Sequence, residues 1–278
     1  MELMQKAASI AMLIFVLSSM LAMGLDLTVG QIIAPLRNVR LVMLSLLANF
    51  VLMPLAAVAL AALLRLNPPL DVGLLLLGSA AGAPFLPKLA QIAKGNLAFG
   101  VGLMVLLMVV TVGYLPLVLP LLLPGVSVNP AKIGRSLFLL MLLPLAGALA
   151  VKARFVDVAA RTKPLFDRLS NLGLIVLVLL ITAGNVNNVL AVFGTGGILA
   201  GLLFIAIGFG IGWVLGGPDL STRRVLALGT AQRNIAAALV VGSQSFSDPK
   251  VVVMVVVVAI VGLLILMPLS RMLANSAA

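Results

Sequence analysis

Followed by its apolar and polar positions, the chain is a series of long hydrophobic runs separated by short polar or glycine- and proline-rich punctuation. The runs extend over Ala7 to Gly24, Val39 to Leu64, Leu70 to Gly95, Leu97 to Leu123, Ser136 to Val151, Leu169 to Asn185, Gly197 to Gly216, Arg224 to Phe246 and Val251 to Leu273. A helix needs about 20 apolar residues to cross the hydrocarbon layer. The pattern therefore predicts an all-α polytopic membrane protein with about nine transmembrane helices in the lipid bilayer. The leader Met1 to Lys6 carries one acid and one base and precedes no small-residue cleavage site, so the first run is expected to be a retained helix.

Two runs are interrupted. The third holds Gly78, Gly82, Pro84 and Pro87 and then the polar residues Lys88, Gln91 and Lys94. Proline removes a backbone donor and clashes with the preceding turn, which predicts a break near Ala83 to Pro87. The eighth contains Gly229-Thr230-Ala231-Gln232-Arg233-Asn234 between apolar stretches, a second expected break. Both follow similar leads, Leu77-Gly78-Ser79-Ala80 and Leu228-Gly229-Thr230-Ala231. Paired interrupted segments in two halves point to an inverted-repeat transporter with its site at the repeat interface. Gly82, Pro84, Pro87 and Gly229 are the expected structural breaks. Glycines 208, 210, 212, 216 and 217 are expected at close helix contacts, and Asn185, Asn187 and Asn188 as helix caps or a pocket rim.

Composition sharpens the solvent. Of 278 residues, 63% are hydrophobic and 9% charged, against about 45–50% and roughly 25% in soluble domains. The net charge of +11 reads as topology rather than as nucleic-acid binding. With the N-terminus outside and the C-terminus cytoplasmic, the expected cytoplasmic segments hold Arg37, Arg40, Lys88, Lys94, the cluster from Lys152 to Arg168, Arg223, Arg224 and Arg271, leaving fewer cations outside. There is no Cys or His, which excludes disulfides, histidine-based catalysis and a histidine or cysteine metal site; an enzyme is not expected. The acids Glu2, Asp26, Asp71, Asp157, Asp167, Asp219 and Asp248 fall in loops or at span ends, so a proton relay on mid-membrane carboxylates is not expected.

Four motifs carry a family resemblance: Met23-Gly24-Leu25-Asp26-Leu27, Ala48-Asn49-Phe50-Val51-Leu52-Met53-Pro54, Ala90-Gln91-Ile92-Ala93-Lys94-Gly95-Asn96 and Gln232-Arg233-Asn234-Ile235-Ala236-Ala237-Ala238-Leu239. In order and spacing they resemble the bile acid:sodium symporter family, in its nine-span form. The resemblance implies inverted repeats, two broken helices crossing at mid-membrane, and a panel domain beside a core domain. On it, residues 1–38 would be a panel helix and cytoplasmic linker, 39–130 the first core repeat, 131–195 panel helices and 196–278 the second core repeat. It also implies a bacterial inner (plasma) membrane and a small organic anion as substrate. The departures fall on the ion site. Leu86 and Pro87 stand at a family Ser-Asn pair, Gly100 and Met104 at hydroxyl ligands, Gly229 at the family Glu and Arg233 at a Gln. Asn49, at a family Gln position, and Asn234 are what remain.

Sodium prefers several converging oxygens, so coupling to sodium is not expected from these residues. Arg233 lies far inside a span, where a basic side chain costs about 2.5 to 17 kcal/mol by different scales. It is expected to act as a tethered cation that holds the anion by a two-pronged guanidinium contact, or else to pin the crossover through carbonyls. Substrate contact is expected from Asn49, Lys88, Thr230, Gln232, Arg233 and Asn234, with Lys88 equally readable as a boundary lysine. No resident cofactor or metal is expected. Exchange, facilitated flux, or symport with a proton or a reorganised sodium site remain open. The alternative is a non-transporting scaffold or sensor that keeps the fold.

Overall fold

The computed structural model describes residues 2–123, 129–184 and 194–275; Asn185, Asn187 and Asn188 lie outside them. These residues are helical, with no strand among them. In chain order the helices are α1 (Glu2–Asp26), the short α2 (Val29–Ile33), α3 (Val39–Leu63), α4 (Pro68–Ser79), α5 (Leu86–Ile92), α6 (Leu97–Leu122), α7 (Pro130–Arg154), α8 (Val156–Gly184), α9 (Gly197–Leu215), α10 (Leu220–Ala231), α11 (Ile235–Ser245) and α12 (Pro249–Asn275). Among the described residues, 8 helices are long and apolar enough to cross a membrane, counting α10 and α11 as one. The third expected span is present as the pair α4 and α5, too short individually to cross.

Local sequence fixes many of the starts. Asn38, Asn96, Asn129 and Asn234 each place Oδ1 on a backbone N–H in the first turn of α3, α6, α7 and α11, satisfying a donor that the helix cannot. Asp219 does the same for α10, accepting from the Ser221 hydroxyl (2.6 Å) and N–H (3.1 Å). Those bonds hold its carboxyl below the usual carboxylate range.

The expected polar loop between Lys152 and Arg168 is instead helical. Only Phe155 separates α7 from α8, because the cationic stretch alternates with apolar residues at helical spacing. Lys163 there meets Asp26 at 3.4 Å and Asp167 at 3.5 Å. Arg224, expected in a polar segment, is buried, and its Nη1 donates to Ala93 O at the end of α5.

Packing places the two interrupted helices at the centre. In the α10–α11 span 94% of the apolar window is buried, against 17% for α8. The halves pair crosswise, α4 against α11 and α5 against α10. Around them stand α3, α6, α9 and α12, while α1 packs on α7 and α8. Glycine allows the closest approaches. A Cβ on Gly212 would lie 2.4 Å from Leu226 O, so α9 and α10 touch backbone to backbone. Gly210 has open space instead. Exposed side chains such as Leu63, Leu117, Leu121, Val214 and Leu264 form the outward surface that lipid would cover.

Candidate functional site

The site is built from helix ends and one irregular turn. In α3, residues Ala48–Leu52 are π-helical, and the Met53 N–H bonds Ala48 O, five residues back. The wide turn leaves Asn49 O without its usual helical donor. The next residue, Pro54, has no N–H to offer Phe50 O, so that carbonyl is freed as well. Tyr114 Oη on α6 takes Phe50 O at 2.6 Å; Arg233 takes Asn49 O.

At the first break, α4 ends at Ser79, Ala80 is extended, and the chain stays non-helical through Ala83. The last carbonyls of a helix have no intrahelical partner. The break satisfies its polar groups sideways: Thr111 Oγ1 on α6 accepts from Ala81 N–H (2.9 Å) and donates to Ala81 O (3.0 Å). Gly82 has φ +81, and a Cβ there would lie 2.2 Å from Met108 N, so the break presses directly on the α6 backbone. Pro84 lies in the turn that leads into α5, whereas Pro87 is inside the first turn of α5, a position that tolerates proline because its N–H would be unpaired anyway.

At the second break, α10 ends at Ala231 and α11 starts at Ile235. Gly229 is therefore not at the break. It is helical, and its missing side chain lets Leu86 Cδ2 come within 2.8 Å of where a Cβ would stand. Asn234 ties the two breaks together. Its N–H donates to Ala80 O (3.0 Å), its Nδ2 to Ala81 O (3.2 Å) and Gly82 O (3.1 Å), and its Oδ1 caps α11.

Arg233 sits in this crossover, 4% exposed. Its Nε donates to Leu77 O (2.8 Å), Nη1 to Asn49 Oδ1 (2.7 Å) and Thr230 O (3.3 Å), and Nη2 to Gly78 O (2.7 Å) and Asn49 O (3.3 Å). A guanidinium has five N–H donors, and each has an oxygen. Leu77 and Gly78 lie in the last turn of α4 and Thr230 in the last turn of α10. Each helix C-terminus carries roughly half a negative charge, so two of them supply about one. The carbonyl dipoles thus stand where a carboxylate partner would be expected, and no Asp or Glu is among the cage oxygens. Asn49 is held in turn, its Nδ2 donating to Ser45 O (3.0 Å) and Thr230 Oγ1 (3.3 Å).

The structure thus brings Asn49, Thr230, Arg233 and Asn234 together. It leaves two expected residues out. Lys88 is exposed on α5, with no hydrogen bond to the crossover. Gln232 turns away from the cage, toward α9 and α12, with Oε1 buried and unpartnered. It lines a cavity of about 20 Å³ with Leu77, Ile205, Arg233 and Val258, room for about one water. In this conformation the Arg233 donors that a two-pronged anion contact would use are directed at protein oxygens. Thr111 and Tyr114 hold carbonyls beside the crossover, and the sequence pattern did not single them out. A lone hydroxyl in an apolar run gives no signal of the carbonyl it will meet.

Two interrupted helices that cross in the core, with helix-end carbonyls turned toward a positive charge, are a feature of many membrane transporters. Comparison with known proteins agrees. The family model described as "Sodium Bile acid symporter family" matches residues 12–192. The chain is 26% identical over 245 residues to the "Uncharacterized sodium-dependent transporter YocS" of Bacillus subtilis, covering 82% of this chain and 72% of that protein. It is 28% identical over 243 residues to the "Probable sodium/metabolite cotransporter BASS2, chloroplastic" of rice, covering 84% and 57%. It is 24% identical over 235 residues to the corresponding BASS1 protein of Arabidopsis thaliana, covering 83% and 58%. The chain spans less than two thirds of either plant protein. It belongs to the sodium bile acid symporter family of membrane transporters.

Proposed function

We propose that the chain is a secondary transporter that moves a small organic anion by alternating access, with Arg233 as a fixed cation where relatives are named for sodium. The observation that carries this is the cage: Asn49 Oδ1 and O, Leu77 O, Gly78 O and Thr230 O all accept from one guanidinium. These are hard oxygen donors of the kind that bind hard cations. Arg233 supplies the positive charge permanently. It acts on the anion through its field in a low-dielectric core, not by direct hydrogen bonds. The other positions do not fit a sodium ion. Leu86, Pro87, Gly100 and Met104 offer no hard side-chain oxygen.

In this reading the core domain is α3 to α6 with α9 to α12, and the panel is α1 with α7 and α8. The 20 Å³ cavity at the crossover is too small for an organic anion, so substrate enters in another conformation, reached by moving one domain against the other. The N-terminus is placed outside and the C-terminus in the cytoplasm of a bacterium.

Family membership favours a second reading, sodium symport through a reorganised site. Uptake of candidate organic anions into proteoliposomes, with and without an imposed sodium gradient, separates the two. The expected result is saturable uptake whose rate changes less than twofold when choline replaces sodium. Strictly sodium-dependent uptake would sink the fixed-cation reading, and absence of flux for every anion tested would leave the scaffold or sensor.

A further inference from the structure

Away from the crossover, a second polar feature is left unexplained by transport. At one end of the bundle, where α3 ends, α4 begins and α6 ends, a cavity of about 340 Å³ has Arg65 and Asp71 in its wall. No ion pair joins these two charges among the described residues, and Asp71 Oδ1 is buried without a hydrogen-bond partner. A buried acceptor left unpaired costs roughly 1–3 kcal/mol, more when charged. Arg65 is held in the left-handed region at φ +49, a conformation that costs a non-glycine residue of order 1–3 kcal/mol. The rest of the wall is apolar, including Val58, Leu66, Leu75 and Leu122. Val58 lies five residues inside the end of α3, about 7 Å deeper at 1.5 Å per residue. The cavity therefore has a charged mouth at the level of the helix ends and an apolar wall reaching toward the hydrocarbon.

We propose that this cavity is a binding site for an aminophospholipid, with the lipid ammonium on Asp71, its phosphate on Arg65, and an acyl chain along Val58, Leu75 and Leu122. The chemistry required is a primary ammonium, which donates N–H bonds to the Asp71 carboxylate in the cavity wall, next to an anionic oxygen group for the guanidinium. Phosphoethanolamine carries both. A choline headgroup has no N–H to give Asp71, and a glycerol headgroup has no cation. The depth of the apolar wall and its position at span ends favour the lipid over a free solute with the same headgroup.

The test is thermal unfolding and native mass spectrometry of the full-length protein in detergent, with phosphatidylethanolamine, phosphatidylcholine or phosphatidylglycerol of matched chains, and separately with water-soluble phosphoethanolamine. Phosphatidylethanolamine is expected to be retained about tenfold better than the other two lipids, the factor that roughly 1.4 kcal/mol gives. Asp71→Asn should remove that preference, whereas Arg65→Gln should lower retention of all three lipids, since each carries the phosphate. If Asp71 served only its helix end, Asp71→Asn would lower stability equally in every lipid and leave the preference intact, which overturns the proposal. Leu66→Trp, which narrows the cavity and keeps both charges, should also lower retention of phosphatidylethanolamine, so the test survives a charge variant that fails to fold. Equal retention of phosphatidylcholine, or stabilisation by soluble phosphoethanolamine as large as that by the lipid, would overturn it too.

Discussion

An Arg233→Met variant is expected to lose transport completely and to unfold at a lower temperature than the wild type. Methionine approximates the length of the arginine stem but donates nothing. The substitution strands Asn49 Oδ1 and the carbonyls of Asn49, Leu77, Gly78 and Thr230 in a core that admits about one water. Removing one member of a buried charged network costs about 3–5 kcal/mol, which corresponds to roughly 10 °C in melting temperature for a chain of this size. Arg233→Lys separates charge from geometry. A lysine keeps the positive charge but has three donors and no planar fork. It is expected to recover part of the thermal loss, and to recover transport in proportion to the fraction folded if the field of the cation is what the anion feels. Uptake by a folded Arg233→Met protein at the wild-type rate would show that the guanidinium is a structural pin and nothing more.

Gly82→Ala is expected to be the most damaging single-methyl change among the described glycines. The residue combines φ +81 with a Cβ position 2.2 Å from Met108 N and 2.7 Å from Met104 O. The left-handed conformation alone costs roughly 1–2 kcal/mol for an L-residue, and forcing a methyl into packed backbone adds about 1–3 kcal/mol. The break would have to back away from α6. That pulls Ala81 off Thr111 and Gly82 O off Asn234 Nδ2, so both breaks loosen together. Transport should fall at least tenfold while membrane insertion, set by the apolar runs, persists. Gly113→Ala on the same helix α6 is the control, since a Cβ there meets nothing within 4 Å, and alanine should be neutral or mildly stabilising. Equal behaviour of the two variants would mean that the close approach at Gly82 carries no weight.

These two residues also mark how far the sequence could be followed. Long apolar runs are a strong signal because the bilayer imposes a length, so the spans and the interruptions at Gly82 and Gln232 to Asn234 were legible. Arg233 stood out for the same reason, as a base far inside an apolar run. Its partners did not. Four of its five acceptors are backbone carbonyls, which every residue carries, and they are available only because α4 and α10 end there and α3 widens into a π turn at Asn49. The break itself was misplaced by a few residues: Pro87 invites a break from the sequence yet sits comfortably in the first turn of α5, and Gly229 looked like a hinge but is a packing contact for Leu86. Lys88 neighbours Pro87 in sequence but stays exposed, away from the crossover. The apolar runs already start α3 and α6 at Val39 and Leu97, next to their caps Asn38 and Asn96, whereas the Asn129 cap would have moved the start of α7 from Ser136 back to Pro130.

The covalent attachment of the cation bears on the direction of transport. A sodium ion that balances an anion in its site travels with it, so the charge moved per cycle is reduced or reversed. The guanidinium of Arg233 stays in the protein. On the proposed reading, a monovalent anion then crosses as net negative charge, and each charge moved against the membrane potential costs about 2.3 kcal/mol per 100 mV. With the cell interior negative, that energy opposes uptake and drives release, so the same fold without mobile sodium would be biased toward efflux or one-for-one exchange. A potential imposed by potassium and an ionophore reads this bias directly: an inside-negative potential should speed anion exit, and equal rates at both polarities would argue against it.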